Sequence, residues 1–314
     1  MSALPALEQL LAPHRTVAVV GLAKNAGKTT VINHLIERID GPVGLVSLGL
    51  DGEARDQLTR LPKPRVRPRA GTLVASVAGL ADERTVVARL GFRTAVGEVV
   101  LTEPPPGEPV VVSGPARLDE LDGTVEALLR HGARRVLLEG ALGRLGPAAP
   151  GRAEAVVLAA GVSLANGRDD AALRLRLAVD ALALPATAEP AAITVRHAAG
   201  YEQETAAAVT AAGSAELEGA VTGPLLERLM RDGVRALVVA PDATHVMARP
   251  QQLARARRAG VEVAVRRPLA IAALTASPFH PDASFTAEEA FAMARDAAGG
   301  RWPVYDVVSG MLCA

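Results

Sequence analysis

The sequence predicts an α/β protein: a parallel sheet covered by helices, with a small β-rich insertion and a C-terminal α/β portion. Three observations predict it. Short apolar runs such as Thr16-Val17-Ala18-Val19-Val20 and Val136-Leu137-Leu138 lack polar alternation, as strands buried on both faces do. These runs alternate with segments whose apolar residues recur every three or four positions, and such alternation packs as a parallel sheet between helices. Hydrophobic residues make up 49% of the 314 positions but aromatic ones only 2%, so the core is built from Ala, Val and Leu.

Taken in order, residues 16 to 20 form a first strand, and a glycine-bearing loop follows from 21 to 30. Ile32, Leu35, Ile36 and Ile39 then recur at helical spacing, with Asn33, His34, Glu37 and Arg38 opposite. A second strand over 43 to 48 ends at Gly49-Leu50-Asp51. Between 62 and 116 prolines and glycines punctuate short β-like runs at 72–77, 97–102 and 109–113, which reads as the insertion. Helix is expected at 118–129, strands at 135–139 and 155–160, helix at 171–182 and extended chain at 192–195. The last third repeats the pattern, with helices near 223–230, 251–259 and 287–298 and strands at 235–240, 261–265, 270–275 and 304–308. The expected division is a core over 1–60 and 117–198, an insertion over 61–116, and a C-terminal α/β region over 199–314.

Composition narrows the function. The 34 basic and 34 acidic residues cancel, which argues against a chain held generally to nucleic acid or anionic membrane. No basic lead precedes an apolar core near the start, and the longest apolar run, 155 to 165, is too short for a bilayer; a cytoplasmic protein is expected. Cys313 is the sole cysteine, so no internal disulfide or cysteine-rich zinc site can form.

The loop reads Gly21-Leu-Ala-Lys24-Asn25-Ala26-Gly27-Lys28-Thr29-Thr30, between a strand and a helix. That context suits a phosphate-binding P-loop, in which backbone N–H groups and a helix N-terminus converge on an anion. Lys28 would reach the β and γ phosphates, Thr29 would ligate Mg²⁺, Gly27 would let the backbone close in, and Thr30 would add a hydroxyl near the α-phosphate. The chain has three lysines, Lys24, Lys28 and Lys63, against 31 arginines. Two of them stand in this loop, where a compact ammonium fits between phosphates better than a planar guanidinium. Magnesium also wants carboxylates. Asp51 and Glu139, each at the end of an expected strand, are at the edge of the sheet where ligands bind; they are candidate metal ligands and, with Lys28, candidate catalytic groups. Asp242, Ser277 and Pro278 follow other strands at plausible base-binding positions.

Other features carry less. Gly140-Ala-Leu-Gly143-Arg-Leu-Gly146 has G-x-x-G-x-x-G spacing and is not a dinucleotide fingerprint; Arg144 within it either faces phosphate or is solvated. Lys63, Arg65, Arg67 and Arg69 alternate with Pro62, Pro64, Val66 and Pro68, so all four cations share one face of an extended segment. They form either a docking surface for an acidic partner or a charge-protected edge strand. The histidines show no metal-ligand spacing.

The loop's G-x-x-x-x-x-G-K-T register resembles that of dethiobiotin synthetase and cobyric acid synthase, in the signal-recognition/MinD/BioD class of P-loop NTPases. A resemblance covering most of the chain is closer. GLAKNAGKTTVINHL, SLGLDGE, PKPRVRPRAGTLVAS, GEVVL, SGPA, LLEGALGR and PVYDVV look like the ATPase-like subunit of the reactivase that serves adenosylcobalamin-dependent lysine 5,6-aminomutase. Glu139 stands where that pattern has an aspartate, and SPFHPDASF is a loose version of its Asn-Pro/Phe-Asp-Pro segment. The resemblance implies an ATPase that uses ATP and Mg²⁺, acts with a larger reactivase subunit, and releases damaged cobalamin from an aminomutase; it also allows a homodimer. The alternatives are an ATP-dependent ligase or kinase of the dethiobiotin-synthetase type, and a nucleotide-binding regulator with little turnover.

Overall fold

The computed structural model describes residues 4–51, 65–141, 143–163, 165–280 and 285–313. In chain order these form α1 (Leu7–Leu10), β1 (Thr16–Gly21), α2 (Lys28–Arg38), β2 (Val43–Ser47), β3 (Leu50–Asp51), β4 (Leu73–Val77), β5 (Val86–Thr94), β6 (Gly97–Thr102) and β7 (Val112–Ser113). There follow α3 (Leu118–Arg130), β8 (Arg135–Ala141), β9 (Ala155–Gly161), α4 (Arg168–Leu182), β10 (Ile193–His197), α5 (Glu202–Ala212), β11 (Ser214–Gly219), α6 (Gly223–Arg231) and β12 (Ala236–Ala240). The chain ends with α7 (Pro250–Arg258), β13 (Val261–Val265), β14 (Ile271–Ser277), α8 (Ala287–Ala298), β15 (Val304–Tyr305) and β16 (Leu312–Cys313). Two compact units result, one of residues 1–175 and 270–314, the other of residues 176–269.

The first unit is built on a ten-stranded sheet of order β16-β15-β14-β9-β1-β8-β2-β4-β6-β5. From β15 to β4 every neighbour is parallel; β16, β6 and β5 add antiparallel pairs at the two ends. The alternation of side chains across each strand explains the two layers. Val17 and Val19 of β1, Leu45 of β2, Leu137 of β8 and Val157 of β9 share a core with Val31, Ile32, Leu35, Ile36 and Ile39 of α2. The neighbouring positions point the other way, where a Cβ at Gly44 of β2 would meet Leu128 of α3 and Val136 of β8. With both faces covered, β1 has no residue left for solvent, which is why its sequence shows no polar alternation. The end of α2 is closed by Arg69, whose guanidinium donates to the carbonyls of Ile39 and Gly41. A cation there satisfies orphan carbonyls and complements the negative end of the helix.

This architecture confirms an α/β chain with a large, mostly parallel sheet flanked by helices, and it revises the expected boundaries. Residues 61–116 are not a separate insertion, because β4 pairs parallel with β2 and β6 and β5 extend the same sheet. Nor is 199–314 one region: β14 lies between β9 and β15 in the first unit's sheet. The reason is burial, since Ala273 and Leu274 are fully covered there and a strand so apolar on both faces belongs inside a sheet. The alternating cations also resolve. Lys63 lies outside the described residues, but Val66 is buried and bridges Val110, Arg67 donates to the Gly107 carbonyl at 2.8 Å, and Arg69 caps α2. Arg67 and Arg69 thus serve their own chain instead of an acidic partner. β5, α5 and β11 had not been foreseen.

The second unit is a four-stranded parallel sheet of order β10-β11-β12-β13. Leu217, Leu225, Leu226, Leu229, Val238 and Val265 form its core with Ala206 and Val209 of α5. His197 ends β10 with only 4% of its surface exposed, its ring nitrogens 2.9 Å and 3.3 Å from the hydroxyls of Thr205 and Thr222. Among the described residues of both units, no helix is long and apolar enough to cross a membrane.

Burial holds the His197 imidazole below its ordinary pKa, against a smaller opposing pull from Glu202. The unfolded chain therefore binds a proton that the folded one refuses, so this contribution to stability is complete above about pH 6.5 and declines as pH falls below it. Thermal unfolding followed from neutral to mildly acidic pH should show that decline, and His197→Asn should flatten it.

Candidate functional site

The carboxyl ends of β1, β8, β9 and β14 meet around the loop 22–27. Their register puts Glu139 of β8 level with Val19 of β1, Ala159 of β9 level with Gly21, and Ser277 of β14 level with Gly161. The loop leaves β1 with Leu22 N–H donating to the Ala159 carbonyl at 3.0 Å. Asn25 then takes a left-handed φ of 53° and Gly27 one of 92°, a conformation glycine adopts without steric cost. Ala26, 1% exposed, rests on β9 where Gly161 has no side chain: a Cβ there would lie 2.3 Å from Ala26 Cα. A Cβ on Gly27 would come within 2.9 Å of Ser277 Cβ, so the loop is held between two strand ends. The Ser163 hydroxyl, just past β9, donates to the Lys24 carbonyl.

α2 begins at Lys28 with Gly27 as its N-cap, and no side chain caps it. Its first turn contains no acid, whereas α8 begins with the Thr286 and Glu289 capping box and α6 with the Thr222 hydroxyl. The first N–H groups of α2 are therefore uncapped donors at the positive end of a helix dipole, directed out of a glycine-bearing loop. Lys28 folds back over that loop. Its Cγ and Cδ lie 2.9 and 3.0 Å from where a Gly21 Cβ would be, and its Nζ lies 3.8 Å from Glu139 Oε1. Both charged groups are largely enclosed, with side-chain exposures of 16% and 6%. Among the described residues the hydroxyls of Thr29 and Thr30 have no hydrogen-bond partner, and both residues are half-buried.

Gly21, Ala26, Gly27, Lys28, Thr29, Thr30, Glu139 and Ser277 thus come together, with Lys24 and Asn25 at the loop's outer turn. Pro278 follows Ser277 half-buried. Ser277 lies against Gly27 itself, nearer the loop than a base contact would require. The backbone of Asp51 continues past the carboxyl end of β2 and pairs with Val112; its side chain lies outside the described part. Arg144 is an exposed loop arginine, as one of its two expected roles had it, and it donates to the Leu48 carbonyl at 3.0 Å, tying two carboxyl-edge loops together. Asp242 belongs to the second unit. It follows β12, 1% exposed, and accepts from Thr244 N–H at 2.9 Å and its hydroxyl at 2.5 Å, with His245 Nδ1 3.1 Å away. Burial pushes its carboxyl up, but those hydrogen bonds outweigh it and leave Asp242 below the usual carboxylate range. It is therefore not part of the sheet that carries the loop. Gly161 and Ser163 were not foreseen. The only local signal is a Gly-x-Ser after an apolar strand, and it acquires meaning only once β9 is known to neighbour β1.

This donor set fits a triphosphate with magnesium: uncapped N–H groups, one enclosed ammonium, unengaged hydroxyls and a carboxylate within reach of the ammonium. Comparison of the chain with protein-family models, curated proteins and solved structures finds no match.

Gly161→Ala should force the loop off β9 and cost about 1–3 kcal/mol, measured by urea denaturation. Gly143→Ala, which meets nothing within 4 Å, is the control and should be near neutral.

Proposed function

We propose that the chain binds ATP and Mg²⁺ at 21–30 as a P-loop NTPase. In this reading it serves as the ATPase-like subunit of a reactivase that frees an adenosylcobalamin-dependent aminomutase from damaged cobalamin. The observation that carries nucleotide binding is the uncapped start of α2, with Lys28 drawn across Gly21 toward Glu139. The partner rests on the sequence resemblance.

In this reading the N–H groups of the loop and of the first turn of α2 bind the phosphate oxygens, and the Lys28 ammonium leaves Glu139 to lie among them. Thr29 and Glu139, with Asp51 as a further candidate, would hold Mg²⁺, which when bound neutralises phosphate charge. Ala26 and Gly27, wedged between β9 and β14, keep the donors fixed, so little reorganisation accompanies binding. The same wedge offers a route to a partner, because any displacement of the loop displaces the ends of β9 and β14. A shift of a two-state element from 1:99 to 99:1 needs about 5.5 kcal/mol of differential binding, within reach of nucleotide exchange and hydrolysis.

ATP-Mg at about one hundred times Kd should stabilise the protein by ~2.7 kcal/mol. Lys28→Ala should remove that gain while the chain still folds; absence of any nucleotide-dependent shift in the native chain contradicts the reading. Addition of the protein, its larger partner and ATP to an aminomutase carrying damaged cobalamin tests the partner. Restored turnover is expected. ATP-dependent activation of a small acid, without restoration, would assign the chain to the ligase class.

A further inference from the structure

The amino edge of the first unit's sheet, opposite the loop, carries a second feature. A cavity of about 600 Å³ opens there, lined by Ala12, His14, Arg15, Asp40, Ala133, Arg134 and Arg135. Three arginines and His14 line it, with Asp40 in the lining and Glu154 bonded to the backbone of Arg15. Some arginines elsewhere are matched to acids: Arg89 to Glu83 and Glu98, Arg152 to Asp122, Arg174 to Asp170, Arg266 to Glu216. Among the described residues, no acid pairs with Arg15, Arg134 or Arg135. The Glu154 carboxylate accepts the backbone N–H of Arg15 at 2.5 Å.

The three arginines differ in how they are held. Arg135 is clamped, donating to the carbonyls of Ala12 and Asp40, and its Nε is buried without a partner. The stem of Arg134 covers Gly41, whose Cβ position would be 2.4 Å from Arg134 Cδ, and its head is left exposed. Arg15, exposed, is anchored through its backbone by Glu154. One fixed guanidinium and two adjustable ones around a concave space suit bidentate contact with oxyanions. The volume lies within the roughly 300–1,000 Å³ range of small-molecule sites.

We propose that this amino-edge cavity binds a small phosphorylated metabolite carrying at least two negative charges. It is distinct from the loop 21–30 and does not depend on nucleotide binding there. The two places are nonetheless at opposite ends of the same elements: Arg15 and Gly21 flank or end β1, Arg135 and Glu139 lie on β8, and Asp40 and Lys28 bracket α2.

The test titrates inorganic pyrophosphate calorimetrically into the full chain carrying Lys28→Ala, which weakens the loop as a competing phosphate site. One site is expected. Arg15→Gln with Arg134→Gln, added to that background, should weaken it ~tenfold or more through the loss of charge-assisted bonds. Glutamine keeps a stem over Gly41, and Arg135 is left in place because it clamps backbone carbonyls; circular dichroism checks that the fold is kept. Unchanged pyrophosphate affinity in the arginine variant overturns the proposal, as does no binding to the Lys28→Ala chain at millimolar pyrophosphate. Neither outcome bears on ATP binding, which the nucleotide-dependent stability of the native chain reads separately.

Discussion

The loop between β1 and α2 lies where it does because position 161 has no side chain. A methyl group at Gly161 would occupy the space of Ala26 Cα, and the loop would have to leave β9. From that contact the rest follows. Ala26 is buried, Gly27 turns left-handed against Ser277, and the helix starts at Lys28 with its first donors uncapped. The lysine stem then runs across Gly21 toward Glu139 on the neighbouring strand. Backbone packing thus dictates the direction of the charged groups, and the order β14-β9-β1-β8 supplies all the walls.

The division of labour between lysine and arginine fits this picture. Arg69, Arg135 and Arg144 each donate to backbone carbonyls at helix or strand ends, a task for a planar group with several fixed donors. Lys28 instead occupies a narrow space beside glycine, where a slender stem and a compact charge fit. In a chain with three lysines, two of them in one loop, the residue choice reflects geometry more than charge.

Much of the fold was legible because β1, β8 and β9 are buried on both faces and α2 repeats its apolar residues at helical spacing. The loop was legible for the same reason, since its motif sits between a clear strand and a clear helix. What was hidden depends on contacts distant in sequence. β5 alternates arginine and glycine with Val86, Ala88, Leu90 and Phe92, a half-exposed edge pattern that proline-rich neighbours obscured. β11 includes two glutamates, and only Ala215 and Leu217 face its core. The return of β14 to the first sheet leaves no local mark, so the unit boundaries at 176 and 269 could not be read. Glu139 was recognised as a strand-end acid, but its approach to Lys28 needed the register of β8 on β1.

The central claim is that the donors at the start of α2 hold the phosphates of a nucleotide. Amide nitrogen–proton spectra recorded during an ATP-Mg titration test it most directly, residue by residue. The account predicts that the largest shifts fall within 24–30, with smaller ones at Glu139, Gly161 and Ser277 where the loop touches its walls. Saturation with the shifts confined to other parts of the chain, or with none at all, would contradict it.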